Sequence, residues 1–245
     1  MLLYIYLFVF ISTLLFYTFN KKIEIYNFGK KTKNSINIII IGGTHGNEPS
    51  SSLSLYKLIN YLKTKSIRNS YITIIPMLNK TGFYTNNRYS NHFLNNYDIN
   101  RNYPKKYYIN SYINDMIENY DIIIDHHEGY NYHITNKDSI GSTLLSVNFR
   151  IEYIKKLISN LNNHITDKNK WFTINSRDKF PNGSLIDLIY KNFSNKKYLL
   201  IETTGITNRD ALHERQFKAL YLIISILLDK NVIRLHNHNY NKKYT

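Results

Sequence analysis

The chain has 245 residues and a formal net charge of +15, with 32 lysines and arginines against 17 acids. It contains no cysteine, which excludes both disulfides and thiol catalysis. Its basic residues are scattered (Lys21, Lys22, Lys30, Lys31, Lys105, Lys106, Lys196, Lys197), with no block of like charge and no aromatic-interleaved basic motif. That pattern argues against nucleic acid as a partner.

Residues 1–20, MLLYIYLFVFISTLLFYTFN, carry no charge and are almost wholly apolar. About 20 apolar residues in a helix match the thickness of a bilayer core. A basic n-region and a small-x-small cleavage site are both missing, so a single-pass N-terminal anchor is expected in preference to a cleaved signal segment. Cleavage would make the protein secreted. Lys21 and Lys22 favour a cytoplasmic C-terminal side, whereas N-x-S/T sequons at Asn79, Asn182 and Asn192 would suit a luminal domain. The orientation stays open. The expected organisation is an anchor over 1–20, one domain of catalytic size over 21–234 and a polar tail over 235–245, where His236 and His238 read as solvated.

Beyond the anchor, strands and helices alternate. A short strand is expected over 23–28 and a buried one over 35–41, where Ile38 to Ile41 read as a strand covered on both faces. Gly42 and Gly43 allow a sharp turn, and a helix follows over 53–62. A strand comes next at 71–77, then a long polar, irregular stretch at 79–110. A short helix over 113–118 precedes a strand at 121–124, and helices are expected at 149–161 and 184–190. The chain closes with a strand at 198–202 and a long helix at 211–228. Such alternation implies a three-layer α/β/α domain with a mixed, largely parallel central sheet. Ligands in such sheets bind beyond the carboxyl ends of the strands.

The chemically loaded residues follow those strands. His45 and Glu48 are three apart after the four-isoleucine strand. In the first turn of a helix they would share a face and could converge on a zinc ion; the alternative is an exposed His beside a capping carboxylate. At 121–125 the strand Asp-Ile-Ile-Ile-Asp runs into His126, His127 and Glu128. Alternation lets only one histidine of the pair face a site. Asp125 shares a side with His127 and could hold its second ring nitrogen. Two histidines and one carboxylate leave a fourth zinc position open, as catalytic sites require. In the loop Asp98-Ile-Asn-Arg-Asn-Tyr-Pro104, Asn100 and Arg101 can grip a carboxylate. Arg88, earlier in the same loop, is a candidate for stabilising an oxyanion. Glu202 ends an apolar strand, where a carboxylate is costly to bury without a partner; beside an activated water it would be the general base.

His45-x-x-Glu48, the Asn100-Arg101 pair, His127 and Glu202 occur in the order seen in zinc carboxypeptidases. GGTHGNE resembles the succinylglutamate desuccinylase/aspartoacylase branch of that superfamily, while DINRNYP is more similar to the carboxypeptidase form. The resemblance covers roughly residues 38–228. It implies one zinc ion held by His45, Glu48 and His127, with Glu202 as general base and Asn100 and Arg101 on the substrate carboxylate. Arg88 would polarise the scissile carbonyl. The implied reaction is hydrolysis of an amide next to a carboxylate, in a peptide or an N-acyl amino acid. A metal-dependent carboxylate-binding protein without turnover is the alternative. Two departures stand out. Gly183-Ser-Leu-Ile-Asp187 echoes a Gly-Ser-x-Asp segment with one extra residue, and the substrate-loop tyrosine has no counterpart, Phe180 or Asp178 standing nearby. Aspartoacylase-type enzymes also carry a β-rich domain after the catalytic one, whereas this sequence reads as a minimal catalytic domain.

Overall fold

The computed structural model describes residues 4–8, 23–92, 95–176, 179–204, 212–229 and 233–234. The expected anchor (apart from a helical stretch at 4–8) and the polar tail lie outside these residues. Among the described residues no helix is long and apolar enough to cross a membrane.

The first half contains β1 (Tyr26–Gly29), β2 (Ile36–Gly42), α1 (Pro49–Leu62), β3 (Ser66–Ile67), β4 (Ser70–Ile75) and α2 (Lys80–Tyr84). A small hairpin follows, β5 (Ser90–His92) and β6 (Asn95–Tyr97), then a 3₁₀ turn at Ile99–Arg101 and α3 (Tyr108–Ile117). The second half holds β7 (Ile122–Gly129), β8 (Thr143–Val147), α4 (Ile151–Asn162), β9 (Thr173–Ile174) and α5 (Leu185–Asn192). It ends with β10 (Lys197–Thr204), α6 (Leu212–Asp229) and β11 (Ile233–Arg234). Seven strands make one sheet in the order β1-β4-β2-β7-β10-β8-β9. The inner run β4-β2-β7-β10 is parallel, β1 and β8 join it antiparallel, and β9 pairs parallel with β8. The sheet is mixed and largely parallel, as the alternating pattern implies.

Strand alternation divides the core. Ile38, Ile40, Ile122, Ile124, Leu199 and Ile201 face one way and pack with α1, α4 and α6. Ile39, Ile41, Ile123, Tyr198 and Leu200 face the other way and pack with α3 and α5. The isoleucine run is therefore buried on both faces, because helices cover both sides of a parallel sheet.

Two expectations need correction. The stretch 79–110 is more ordered than its polar composition suggests. Asn79 caps α2 by accepting from Gly82 N at 3.0 Å, and Asp98 caps the 3₁₀ turn by accepting from Asn100 N at 2.8 Å. Polar caps, rather than apolar periodicity, organise it. Asn79 is itself buried, which removes it as a glycan acceptor in the folded chain. The second correction is that β8 and β9, absent from the sequence reading, extend the sheet beyond β10. β8 is a five-residue segment, Thr-Leu-Leu-Ser-Val, too short for a clear period against its glycine- and serine-rich approach.

Candidate metal centre

The carboxyl ends of β2, β7 and β10 lie side by side, with Gly42 opposite His126 and His127 opposite Glu202 in the parallel register. Equal parity along β7 and β10 brings Asp125, His127, Tyr198 and Glu202 to the face covered by α3 and α5. His126 and Glu128 point the other way. Ser54 Oγ lies 3.1 Å from His126 Nδ1, and burial drives the His126 pKa down to about 3. Glu128 Oε1 accepts from Ser50 through both its amide and its hydroxyl, and Glu128 Oε2 is 3.6 Å from Arg215.

His45 and Glu48 sit in a turn that precedes α1, not in its first helical turn. Pro49 starts the helix, as proline favours the first helical position, and Glu48 occupies the cap position. The turn is closed by Glu48 N donating to His45 O at 3.2 Å. Gly43 takes a positive φ of 63° there, and Gly46 lies so close to the backbone of Gly82 and Phe83 that a Cβ would stand 1.9 Å from Gly82 C. The His-x-x-Glu turn is thus seated directly on α2.

His45, Glu48 and His127 are each about 3% exposed or less, and together they could hold a metal ion, their candidate ligand atoms lying within 4.8 Å of one another. His45 Nδ1 is 2.6 Å from Glu48 Oε1, His127 Nδ1 is 2.9 Å from Glu48 Oε2, and the two Nδ1 atoms are 3.2 Å apart. Two nitrogens in a tetrahedral shell with zinc–nitrogen bonds of about 2.0–2.1 Å stand about 3.3 Å apart, so the pair has the right spacing. The outer nitrogens are held as metal-binding histidines require. His45 Nε2 is 3.1 Å from Asp98 Oδ1, and His127 Nε2 makes an ion-pair contact of 3.3 Å with Asp125 Oδ1. Tyr198 donates to the other Asp125 oxygen at 2.7 Å. The donor types, their spacing and their supports all fit zinc.

The electrostatics follow from this crowding. Burial opposes charge on Glu48, but the neighbouring His45 and His127 outweigh it and hold the carboxyl below its ordinary range. Asp98 is likewise held low: burial is overcome by the hydrogen bond and charge of His45, then by Arg88 and Arg101. Burial would lower the His127 pKa, yet the Asp125 and Glu48 carboxylates raise it well above normal. Burial pushes Glu202 up to about 8, against the pull of His127 and with help from Glu48 and Asp125.

A cavity of about 130 Å³ opens beside this cluster, lined by His45, Glu48, Arg88, Asn100, Arg101, His127 and Glu202 together with an apolar wall. All seven residues singled out from the sequence therefore meet at one place. Their commitments differ from expectation in two cases. Arg88 forks onto Asp98, with Nε at 3.0 Å and one terminal nitrogen at 2.9 Å, while its other terminal nitrogen is 3.5 Å from Glu48. Asn100 Oδ1 accepts from Leu185 N at 2.9 Å, and its Nδ2 lies 3.5 Å from His127 Nε2. Its amide is engaged within the fold, which leaves Arg101, exposed at the rim, as the group with free donors for a carboxylate. Phe180 lines the cavity; Asp178 lies outside the described residues. Asp98 was overlooked as a support for His45. Its only signal is a carboxylate two residues before the Asn-Arg pair.

Residues 34–133 match the family described as Succinylglutamate desuccinylase/Aspartoacylase catalytic domain. The matched family is the branch that GGTHGNE resembles. No curated protein matches the chain by sequence. Among solved structures, the tripeptide-bound cell shape determinant Csd4 of Helicobacter pylori is 17% identical, with a TM-score of 0.71, covering 90% of this chain and 58% of Csd4. The mDAP-bound form of Csd4, described as a D,L-carboxypeptidase, gives 16% identity and a TM-score of 0.67, over 84% of this chain and 54% of Csd4. A candidate metallopeptidase from Shewanella baltica is 15% identical, with a TM-score of 0.61, over 84% of this chain and 81% of that one. At these identities the likeness establishes the fold, and the chain spans little more than half the length of Csd4.

Proposed function

We propose that the chain is a zinc-dependent hydrolase of an amide bond adjacent to a carboxylate, in an N-acyl amino acid or at a peptide C-terminus. One observation carries this reading. His45 Nδ1, Glu48 and His127 Nδ1 converge with both outer ring nitrogens on carboxylates, and a fourth buried carboxyl, Glu202, shares their cavity. His45, Glu48 and His127 would hold the zinc ion, which when bound would supply a Lewis acid and a water of pKa about 7. Glu202 takes the proton of the attacking water and returns it to the departing amine. In the metal-free chain burial pushes its carboxyl up to about 8. A zinc ion beside it would draw that value down toward neutrality, where the carboxylate form can accept a proton and general acid–base exchange is most effective. Arg101 receives the substrate carboxylate through its planar fork. Arg88 keeps one terminal nitrogen toward Glu48, within the same cavity, from where it can steady a developing oxyanion. The apolar segment 1–20 would tether the domain to a bilayer.

The test is metal content with activity. Purified protein should hold about one zinc per chain, as a single mononuclear site requires, and His127→Ala should lose it. Glu202→Gln should retain zinc while kcat/KM falls roughly 10²–10⁴-fold. Equal turnover by wild type and Glu202→Gln would remove Glu202 from the reaction. Saturable carboxylate binding without turnover of any amide would instead make the protein a binding module.

A further inference from the structure

Besides the site residues, the cavity is lined by Ile140, Leu145, Phe180, Pro181, Ile186 and Leu200, with the hydroxyl-bearing Tyr130 and Ser184 among them. The placement of this wall follows from the fold. Leu145 on β8 is the cross-strand partner of Leu200 on β10, and Leu200 has the parity of Glu202, so both leucines stand on the face that holds the site. Ile186 comes from the first turn of α5, whose start is fixed by Ser184 accepting from Asp187 N at 3.3 Å. Phe180 and Pro181 precede that helix and close the side.

We infer that this wall is a specificity pocket for an apolar side chain on the carboxylate-bearing half of the substrate. The inference rests on the amide-hydrolase reading and names its substrate class. Three observations support it. The first is lining: six aliphatic, aromatic or proline residues border the cavity of about 130 Å³ that also holds the site residues, so a side chain extending from the reacting amide meets carbon. The second is the absence of a counter-charge. Among the described lining residues, the ionisable side chains are already committed: His45, Glu48 and His127 to one another, Arg88 to Asp98, Glu128 to Ser50 and Arg215. Glu202 is assigned to proton transfer, which leaves Arg101, and the reaction uses it for the carboxylate next to the amide. The third is energetic. A second charge on the substrate would be desolvated against aliphatic carbon, which is unfavourable unless the charge is paired. The pocket therefore selects against aspartyl, lysyl and diaminopimelyl groups and for neutral, branched or aromatic ones.

The experiment uses the zinc-loaded full chain and a panel of N-acetyl-leucine, N-acetyl-phenylalanine, N-acetyl-aspartate, N-acetyl-lysine and a peptide ending in mDAP. The expected result is kcat/KM at least about tenfold higher for the leucine and phenylalanine compounds, within the range that apolar pockets provide. Hydrolysis that favours the aspartyl, lysyl or mDAP substrate overturns the pocket assignment and leaves the hydrolase reading standing. If no substrate turns over, the hydrolase reading fails. The pocket is then judged by calorimetric binding of free leucine, phenylalanine and aspartate to the same protein, where equal or reversed affinities overturn it. Leu145→Arg should shift the preference at least tenfold toward N-acetyl-aspartate. Ile140→Arg, at a half-buried position that tolerates a charge, should shift it the same way if Leu145→Arg does not fold. An unchanged ratio in the folded variant would also overturn the inference.

Discussion

Asp98 binds two parts of the site that are far apart in sequence: one oxygen faces His45 Nε2, the other receives the Arg88 fork. It fixes the ring so that Nδ1 points to Glu48, and its negative charge raises the basicity of the imidazole as a ligand. Asp98→Asn should therefore weaken zinc binding by roughly 10–100-fold, as loss of such a support typically does, measured by competition against a chromogenic chelator. Unchanged affinity would mean that Asp98 serves Arg88 alone. The principal site residues were legible because each follows a buried apolar strand, where an ionisable group has few other reasons to be. Asp98 and Tyr198 were not read as supports. Their partners are reached through a capped loop and across two strands, and no spacing rule connects Tyr198 to Asp125 or Asp98 to His45. The commitment of Asn100 to Leu185 N was equally invisible, because it depends on where α5 begins.

At the level of elements, β7 does most of the sorting. Its alternation was readable from the residues, including the expectation that only one of His126 and His127 faces the site and that Asp125 lies beside His127. The first turn of α1, Pro49 to Ser52, precedes the expected range of 53–62, because proline and serine carry no apolar period. In the structure Ser50, Ser51, Ser52 and Ser54 are buried, and several replace a longer side chain with a local hydrogen bond. Ser51 Oγ accepts from Gly43 N at 2.9 Å and donates to Glu48 O at 2.7 Å, so the helix start and the ligand turn stabilise each other. The core face of α1 is ordinary by comparison. Leu55→Ala, at a fully buried position in the larger apolar cluster, should cost about 2–5 kcal/mol in stability. Denaturant unfolding checks this, and a cost below 1 kcal/mol would mean that the layer over the sheet is loosely packed.

For the whole molecule, the site makes stability depend on pH, and the sign can be worked out for metal-free protein. Glu202 has an ordinary value of 4.5 and a folded value of about 8, so the folded chain binds more protons than the unfolded one between these limits. Its contribution is complete below about 4.5 and is lost as pH rises toward 8. His127, raised well above 6.5, acts in the same direction: its contribution is present below 6.5 and declines as pH rises through the folded value. Glu48 and Asp98, both held low, contribute above their ordinary values and lose that contribution in acid. His126, held down to about 3 by burial, acts the other way from Glu202 and offsets it below 6.5. In the presence of a chelator, thermal midpoints should accordingly fall mainly from about pH 6.5 to pH 8, and should fall again below about pH 4 as Glu48 and Asp98 protonate. A midpoint that rises between pH 6.5 and 8 would contradict the burial of Glu202. Zinc should raise the midpoint most at the alkaline end, since binding it displaces protons. The overall fold was legible in outline because alternating apolar runs specify a covered parallel sheet. Its far edge was not, since β8 and β9 are too brief to announce a period.

The two faces of β7 also set how this protein tolerates insertions and deletions. The strand carries Asp125 and His127 on one side and His126 and Glu128 on the other, with both sides buried. Because strand side chains repeat every two residues, losing a single residue upstream, such as Ile124, would turn the site inside out instead of sliding it along the strand. His126 and Glu128 would face the cavity, while Asp125 and His127 would be pressed into aliphatic carbon beneath α1 and α6. A frame of one residue in this strand separates a metal centre from a misfolded core, whereas loops such as 130–142 have no such parity to preserve.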